Sequence, residues 1–250
     1  MVVGAPRKEL ECPHSKEGHT LTEPSASLNG DLTIRVVMDT REMDWTPSPA
    51  GNVLRKRLHL VGELESGQVT SLVRYLPNSS FPEHGHPEGE EILVIEGTFS
   101  DHVGDAHEGT HLLNPEGFRH APHSEPGCLI LVKLRQYGGE GREFHRTRTR
   151  DMPWSATDRA GIEHKLLYQD GRFPDVTRLE RWAAGAAPGP QELPGGAELF
   201  IIEGALEDAD GRYPAGTWLR LPAGSTLDAS SEGGCVAYVK TGALPTLRSA

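Results

Sequence analysis

His84-Gly85-His86-Pro87-Glu88-Gly89-Glu90-Glu91-Ile92-Leu93-Val94-Ile95-Glu96-Gly97 holds two patterns in one stretch, a set of metal-ligating side chains and the strand that follows them. Residues two apart in an extended chain share a face, so His84 and His86 project together. Glu90 joins them from the start of the next strand. Further on, Gly109 and the run Pro115-x-Gly117-x-x-His120 punctuate a turn that returns a fourth donor to the same cavity. Three imidazoles and one carboxylate suit a divalent transition ion. We therefore assign His84, His86, Glu90 and His120 as metal ligands; seven of the twelve histidines lie between His84 and His123, which concentrates the donors here.

The chain contains this pattern's frame twice. Thr40-Arg41-Glu42-Met43-Asp44-Trp45 falls on Thr149-Arg150-Asp151-Met152-Pro153-Trp154 at an offset of 109, which also places Lys56 on Lys165 and Leu58 on Leu167. A two-residue shortening near Gly171 changes the offset to 107, and Glu91–Gly97 then falls on Glu198–Gly204. Gly109, Thr110, Pro115 and Gly117 match Gly216, Thr217, Pro222 and Gly224, while Cys128 matches Cys235 and Lys133 matches Lys240. Repeats keep turn glycines, prolines and core residues because each unit solves the same packing problem. Ligands are free of that constraint: His84, His86, Glu90 and His120 become Gln191, Leu193, Ala197 and Leu227. One unit is expected to bind metal and the other to serve as a scaffold or partner surface. Glu91 recurs as Glu198 and Glu90 does not recur, which marks Glu90 as the ligand and Glu91 as structural.

Length and composition bound the rest. At 250 residues the chain accommodates two cores, and 29 glycines, 19 prolines and short apolar runs favour many brief strands. The expected class is all-β, with an irregular arm over residues 1–30, a metal-binding domain over 31–140 and a degenerate one over 141–250. Strands are expected near 33–38, 53–60, 69–76, 90–96, 110–113 and 128–136, and again about 107 to 109 later. The net charge of -11 argues against nucleic acid as a partner. No apolar segment reaches membrane-spanning length, and three scattered cysteines make no disulfide framework, so a cytoplasmic protein is expected.

The first unit resembles the cupin superfamily, whose signatures are G-x5-H-x-H-x3-E-x6-G and G-x5-P-x-G-x2-H-x3-N. His84, His86, Glu90 and Gly97 fill the first, and Gly109, Pro115, Gly117 and His120 the second; Asn78 and Ser124 stand where a glycine and an asparagine are usual. The wording around the ligands, Glu88-Gly89-Glu90-Glu91, Glu96-Gly97-x-Phe99-Ser100-Asp101 and Val132-Lys133-Leu134-Arg135-Gln136, is similar to the ChrR-type cupin-like domain. The resemblance implies two tandem jelly-roll barrels. In founding members the domain is the zinc-binding half of an anti-sigma factor, and similar domains occur in dioxygenases that cleave small diketones and hydroxyketones. Cys12, His14 and His19, within about thirty residues, are too few for a helical sigma-binding half.

The expectation is therefore a mononuclear non-haem Fe(II) dioxygenase acting on a small diketone or hydroxyketone, with zinc, manganese or nickel as other ions and one metal per chain. Four protein ligands leave one or two coordination positions open for substrate or oxygen. No general base is named by the residues, and a homodimer is allowed. The rival class is a non-catalytic zinc sensor of the anti-sigma type, and a metal-dependent lyase, isomerase or hydrolase would use the same ligands. Around the site, His102, His107, His111 and His123 are candidates for orienting the ligands or for surface turns. Tyr75, Phe81 and Phe118 are candidates for the pocket wall or the core. Cys128 reads as a buried small hydrophobe, Arg74 and Trp45 as fold residues, and Arg142, Arg146, Arg148 and Arg150 as a solvated strand or linker face.

Overall fold

The computed structural model describes residues 1, 26–49 and 51–250. Cys12, His14 and His19, and most of the expected arm, lie outside the described residues; the arm's end, Ala26–Leu28, is a strand paired with Val53–Gly62. Among the described residues everything regular is β-strand, apart from three single-turn 3-10 helices at Thr40–Glu42, Thr149–Asp151 and Leu244–Thr246. No helix among these residues is long and apolar enough to cross a membrane.

Two antiparallel sheets carry the molecule, and they repeat each other apart from Ala26–Leu28, the true counterpart of Ser155–Ala156 being Thr46–Pro47, which also pairs with Val53–Gly62. The first runs in the order Ala26–Leu28, Val53–Gly62, Gln68–Tyr75, Cys128–Leu134, Glu90–Asp101, Thr110–Asn114, His145–Arg148. The second runs Ser155–Ala156, Ile162–Gln169, Val176–Trp182, Cys235–Thr241, Ala197–Asp208, Thr217–Leu221, Val36–Asp39. The irregularities repeat as well: a register shift between Arg57 and His59 recurs between Leu166 and Tyr168. Trp45 stacks under Lys56 and Arg74 as Trp154 does under Lys165 and Arg181. Lys56 donates to the Thr40 carbonyl at 2.7 Å and Lys165 to the Thr149 carbonyl at 2.7 Å. The internal offset thus marks these as fold residues.

The units of the sequence are not the units in space. Val36–Asp39 leaves the first unit and pairs with Thr217–Leu221 of the second barrel, while His145–Arg148 crosses the other way onto Thr110–Asn114. Val36–Asp39 also starts later than the expected position 33, because the Asp31 carboxylate accepts from the Thr33 N–H and hydroxyl and holds a turn there.

Of the strand and linker alternatives the structure shows a strand at His145–Arg148, and it corrects the solvated face: Arg142 pairs with Asp175 at 2.7 Å and lies 3.7 Å over the Phe173 ring. Arg146 reaches Asp101 and the Gly104 carbonyl, and only Arg148 and Arg150 of the four stand out in solvent.

Among the described residues three large apolar clusters follow from this layout, with a small fourth of Leu113, Tyr137 and Tyr168. One fills each barrel, and a third lies between them, where Leu58, Leu93 and Leu131 meet Leu179, Phe200 and Trp218. Beside it the duplicated charges exchange partners: Glu91 binds Lys240 at 2.7 Å, and Lys133 pairs with Glu198. Cys128 and Cys235 are buried free thiols, with pKa values pushed up by burial to about 11 and about 12. They sit opposite Gly97 and Gly204, where a Cβ would overlap the carbonyls of Gly127 and Gly234.

Candidate metal centre

Two short strands hold the histidines. His84–Gly85 pairs with Arg119–His120, so that His84 stands directly opposite His120, and the His86 N–H bonds the Phe118 carbonyl at 3.0 Å. Ring centroids of His84, His86 and His120 lie 4.8 to 5.1 Å apart. One nitrogen from each lies within 4.8 Å of the others. Glu90 opens the adjacent strand, and its Oε2 is 3.4 Å from His86 Nε2 and 3.7 Å from His120 Nε2. The three histidines form the close group, with Glu90 beside two of them.

Hydrogen bonds to the outer ring nitrogens set the lone pairs. His84 Nδ1 faces the Pro82 carbonyl at 2.8 Å, and His120 Nδ1 faces Asp101 Oδ2 at 3.2 Å. Both oxygens only accept, so each Nδ1 carries the proton and each Nε2 keeps its lone pair for a cation. His86 is held neutral, its pKa pushed down to about 3 by burial and then by the neighbouring His120 and His84. His86 Nε2 and His120 Nε2 stand 2.9 Å apart with both rings buried. Donors bound to one ion at about 2.1 Å stand about 3 to 4 Å apart, so this spacing fits a shared cation.

Asn114 donates to Glu90 Oε2 at 2.8 Å and aims that carboxylate. Burial raises the Glu90 pKa, opposed by His120 and by the Asn114 hydrogen bond, which is the behaviour of a carboxylate lacking its counter-charge. Asp101 behaves oppositely. Burial disfavours its charge, but hydrogen bonds from His120 and the Val103 N–H, with Arg146 nearby, hold its pKa below the usual value. Asp101, Asn114 and Arg146 are the residues that sequence reasoning missed. Asp101 recurs as Asp208 in the internal repeat, which by itself marks a turn residue of the fold, while Arg146 lies in the other unit, and strand pairing alone connects them.

The remaining candidates separate cleanly. His111 bonds Glu91 at 2.9 Å, His107 lies 3.1 Å from the Thr98 hydroxyl, His102 stacks on Phe118, and His123 sits exposed in a short strand. Glu91 also accepts from Tyr238 at 2.7 Å and from Lys240, so it belongs to the interface between barrels. Tyr75 and Phe81 line a cavity of about 390 Å³ that opens onto His84, His86, Glu90 and His120. Phe118 packs on His120 at 5.4 Å and carries His102 and Phe144 on its faces.

In the second barrel Gln191–Leu193 pairs with Ser225–Leu227 in the register of the first site. Leu193, Ala197 and Leu227 are buried there in the apolar cluster, so three of the four positions that hold candidate ligands in one barrel hold core in the other.

The family described as the ChrR Cupin-like domain matches residues 33–138 and again 142–245. Among solved structures, a candidate dioxygenase from Nostoc punctiforme is similar at a TM-score of 0.66 and 18% identity, covering 85% of this chain and 82% of that one. A glyoxylate-induced protein candidate from Pseudomonas aeruginosa gives 0.64 and 14%, covering 94% and 96%. A variant of Bacillus subtilis oxalate decarboxylase gives 0.57 and 14%, covering 82% and 76%. Identities this low carry the fold alone, and the fold is that of two tandem cupin jelly-roll barrels. No functionally curated protein matches the chain.

Proposed function

The chain belongs to the ChrR cupin-like domain family, and from that premise we propose that its first barrel is a metal-dependent active centre, a mononuclear non-haem Fe(II) dioxygenase for a small diketone or hydroxyketone. What carries the reading is one arrangement: a cavity of about 390 Å³ leading to three convergent histidines whose Nε2 or neutral state suits a cation. A structural metal needs no such cavity. The likeness to a candidate dioxygenase is in the same direction.

His84, His86 and His120 would hold the ion, with Glu90 as the anionic ligand aimed by Asn114. When bound, Fe(II) supplies Lewis acidity toward an enolate or hydroxyketone and a redox partner for dioxygen. The chain's own part is positioning. Asp101 keeps His120 in the tautomer that faces the cation, and the Pro82 carbonyl does the same for His84. Tyr75, Phe81 and Phe99 wall the cavity with aromatic surface, which excludes water from a bound ketone. The Tyr75 hydroxyl stays protonated, its pKa raised by burial and by Glu90.

The zinc sensor is the second reading, drawn from the resemblance to the anti-sigma factors whose domain type the matching family names. Metal analysis of tag-free protein followed by oxygen uptake against pentane-2,4-dione and hydroxyaryl ketones separates the two. Iron that supports uptake is expected, with His84→Ala losing stoichiometric metal and keeping its fold. Zinc that resists chelation, with no oxygen uptake by the iron-loaded form, would overturn the enzyme reading.

A further inference from the structure

The cavity is not apolar throughout. On the strand Val53–Gly62, alternate residues Val53, Arg55 and Arg57 face the cavity, while Lys56 and Leu58 turn to the other side. Two arginines therefore sit inside the barrel that holds the histidines. Their side chains are largely covered, at 18% and 17% exposure. A half-buried guanidinium needs an anion to offset its lost hydration, yet the pair shares a single one. Arg55 Nη1 binds Glu65 Oε2 at 2.7 Å, and Arg57 Nη2 binds Glu65 Oε1 at 3.1 Å. Two cations on one carboxylate leave an excess positive charge facing the cavity.

Glu65 is built to leave. It lies in the loop between Val53–Gly62 and Gln68–Tyr75, and it is 42% exposed, so that solvent can take it up when another anion arrives. The internal duplication supplies a control. At the corresponding positions the second barrel has His164 and Leu166, so this strand folds and pairs without arginines. Its interior is closed instead by Arg178, Glu180 and Trp182, bonded to one another, where the first barrel has Ser71, Val73 and Tyr75. The arginine pair and the open space thus accompany the metal ligands.

We propose that Arg55 and Arg57 form a carboxylate-docking pair, so that the diketone or hydroxyketone is one that also carries a carboxylate, an oxo acid with its carbonyl end toward the histidines and its carboxylate in place of Glu65. This names the substrate class for the centre proposed above and rests on that reading. Forked guanidinium donors match a carboxylate in two-point contact, which fixes the direction of entry as well as adding affinity.

The test is calorimetric titration with 4-oxopentanoate and its neutral isostere hexane-2,5-dione, on zinc-loaded protein, metal-free protein and His84→Ala. The oxo acid is expected to bind at least tenfold more tightly in all three, because the docking pair is independent of the ion. The preference should fall to near unity in Arg55→Gln/Arg57→Leu. Equal affinities in the wild-type protein, or a preference that survives the double substitution, would overturn the proposal whatever the metal reading. Should the double variant misfold, Glu65→Gln decides: removing the resident carboxylate should tighten 4-oxopentanoate several-fold, and unchanged or weaker binding sinks the idea. A preference seen with bound zinc and absent without it would assign the carboxylate to the ion and count against the arginines.

Discussion

Asp101 illustrates why a ligand's identity is easier to read than its orientation. His84, His86, Glu90 and His120 stood out in the sequence because their spacing and residue types have few other uses, and because the second unit lacks them. Asp101 had an ordinary explanation as a recurring turn residue, and its bond to His120 exists only once Arg119–His120 and Glu90–Asp101 are folded against each other. Its consequence is measurable. Asp101→Ala should weaken metal binding by about 10- to 100-fold, read by competition with a chromophoric chelator, with far-ultraviolet circular dichroism unchanged. Full affinity in that variant would show that the ring is held by packing alone. Asn78 gives the converse lesson at this scale: it departs from the usual glycine, but its φ of 57° is left-handed, a conformation asparagine tolerates better than most residues. Its counterpart, Gly185, has a φ of 79°.

At the scale of elements, the alternation of apolar residues and the punctuating glycines placed the long strands well. Val53–Gly62, Gln68–Tyr75, Glu90–Asp101 and Cys128–Leu134 all fall on expected segments. Two-residue strands such as Ser79–Ser80 and His123–Ser124 were not legible, because one pair of hydrogen bonds leaves no periodicity. The crossing strands were equally hidden, since a strand's pattern reports that it pairs but not with which partner. Their exchange has a physical cost for any dissection. A chain ending at residue 140 loses His145–Arg148 from the edge of Thr110–Asn114 and exposes the cluster around Leu58 and Leu93. Such a fragment is expected to aggregate or self-associate in sedimentation analysis. A folded, metal-binding monomer of residues 1–140 would show that the crossing strand is dispensable.

For the whole molecule the interface between barrels sets the acid response. His59 lies buried between the Asn29 carbonyl and Arg220, and burial, opposed by the Asn29 bond and reinforced by Arg220, pushes its pKa down to about 4. The folded protein therefore binds fewer protons here than the unfolded chain between pH 6.5 and about 4, and stability rises with pH across that window. Its contribution is fully present above the unfolded value and is lost as pH falls, by on the order of 3 kcal/mol at most. Glu91 acts in the same direction at lower pH: burial opposes its charge, but Lys240 and His111 hold its pKa well below the usual value. Urea unfolding at pH 7.5, 5.5 and 4.5 should show this loss, and His59→Gln should reduce its upper limb, the remainder being carried by His86, which shifts in the same direction. An identical pH dependence in that variant would place the acid sensitivity elsewhere, with His86 the next group to test.

The sequence by itself determined the all-β class, the duplication and the side chains gathered at the candidate metal centre, because periodicity and residue chemistry are local properties of the chain. The tertiary structure decided which barrel each crossing strand completes, that Arg146 of one unit backs Asp101 of the other, and that Arg55 and Arg57 share the histidines' cavity. Those relations depend on strand pairing between residues far apart in the chain, and no local pattern encodes a partner.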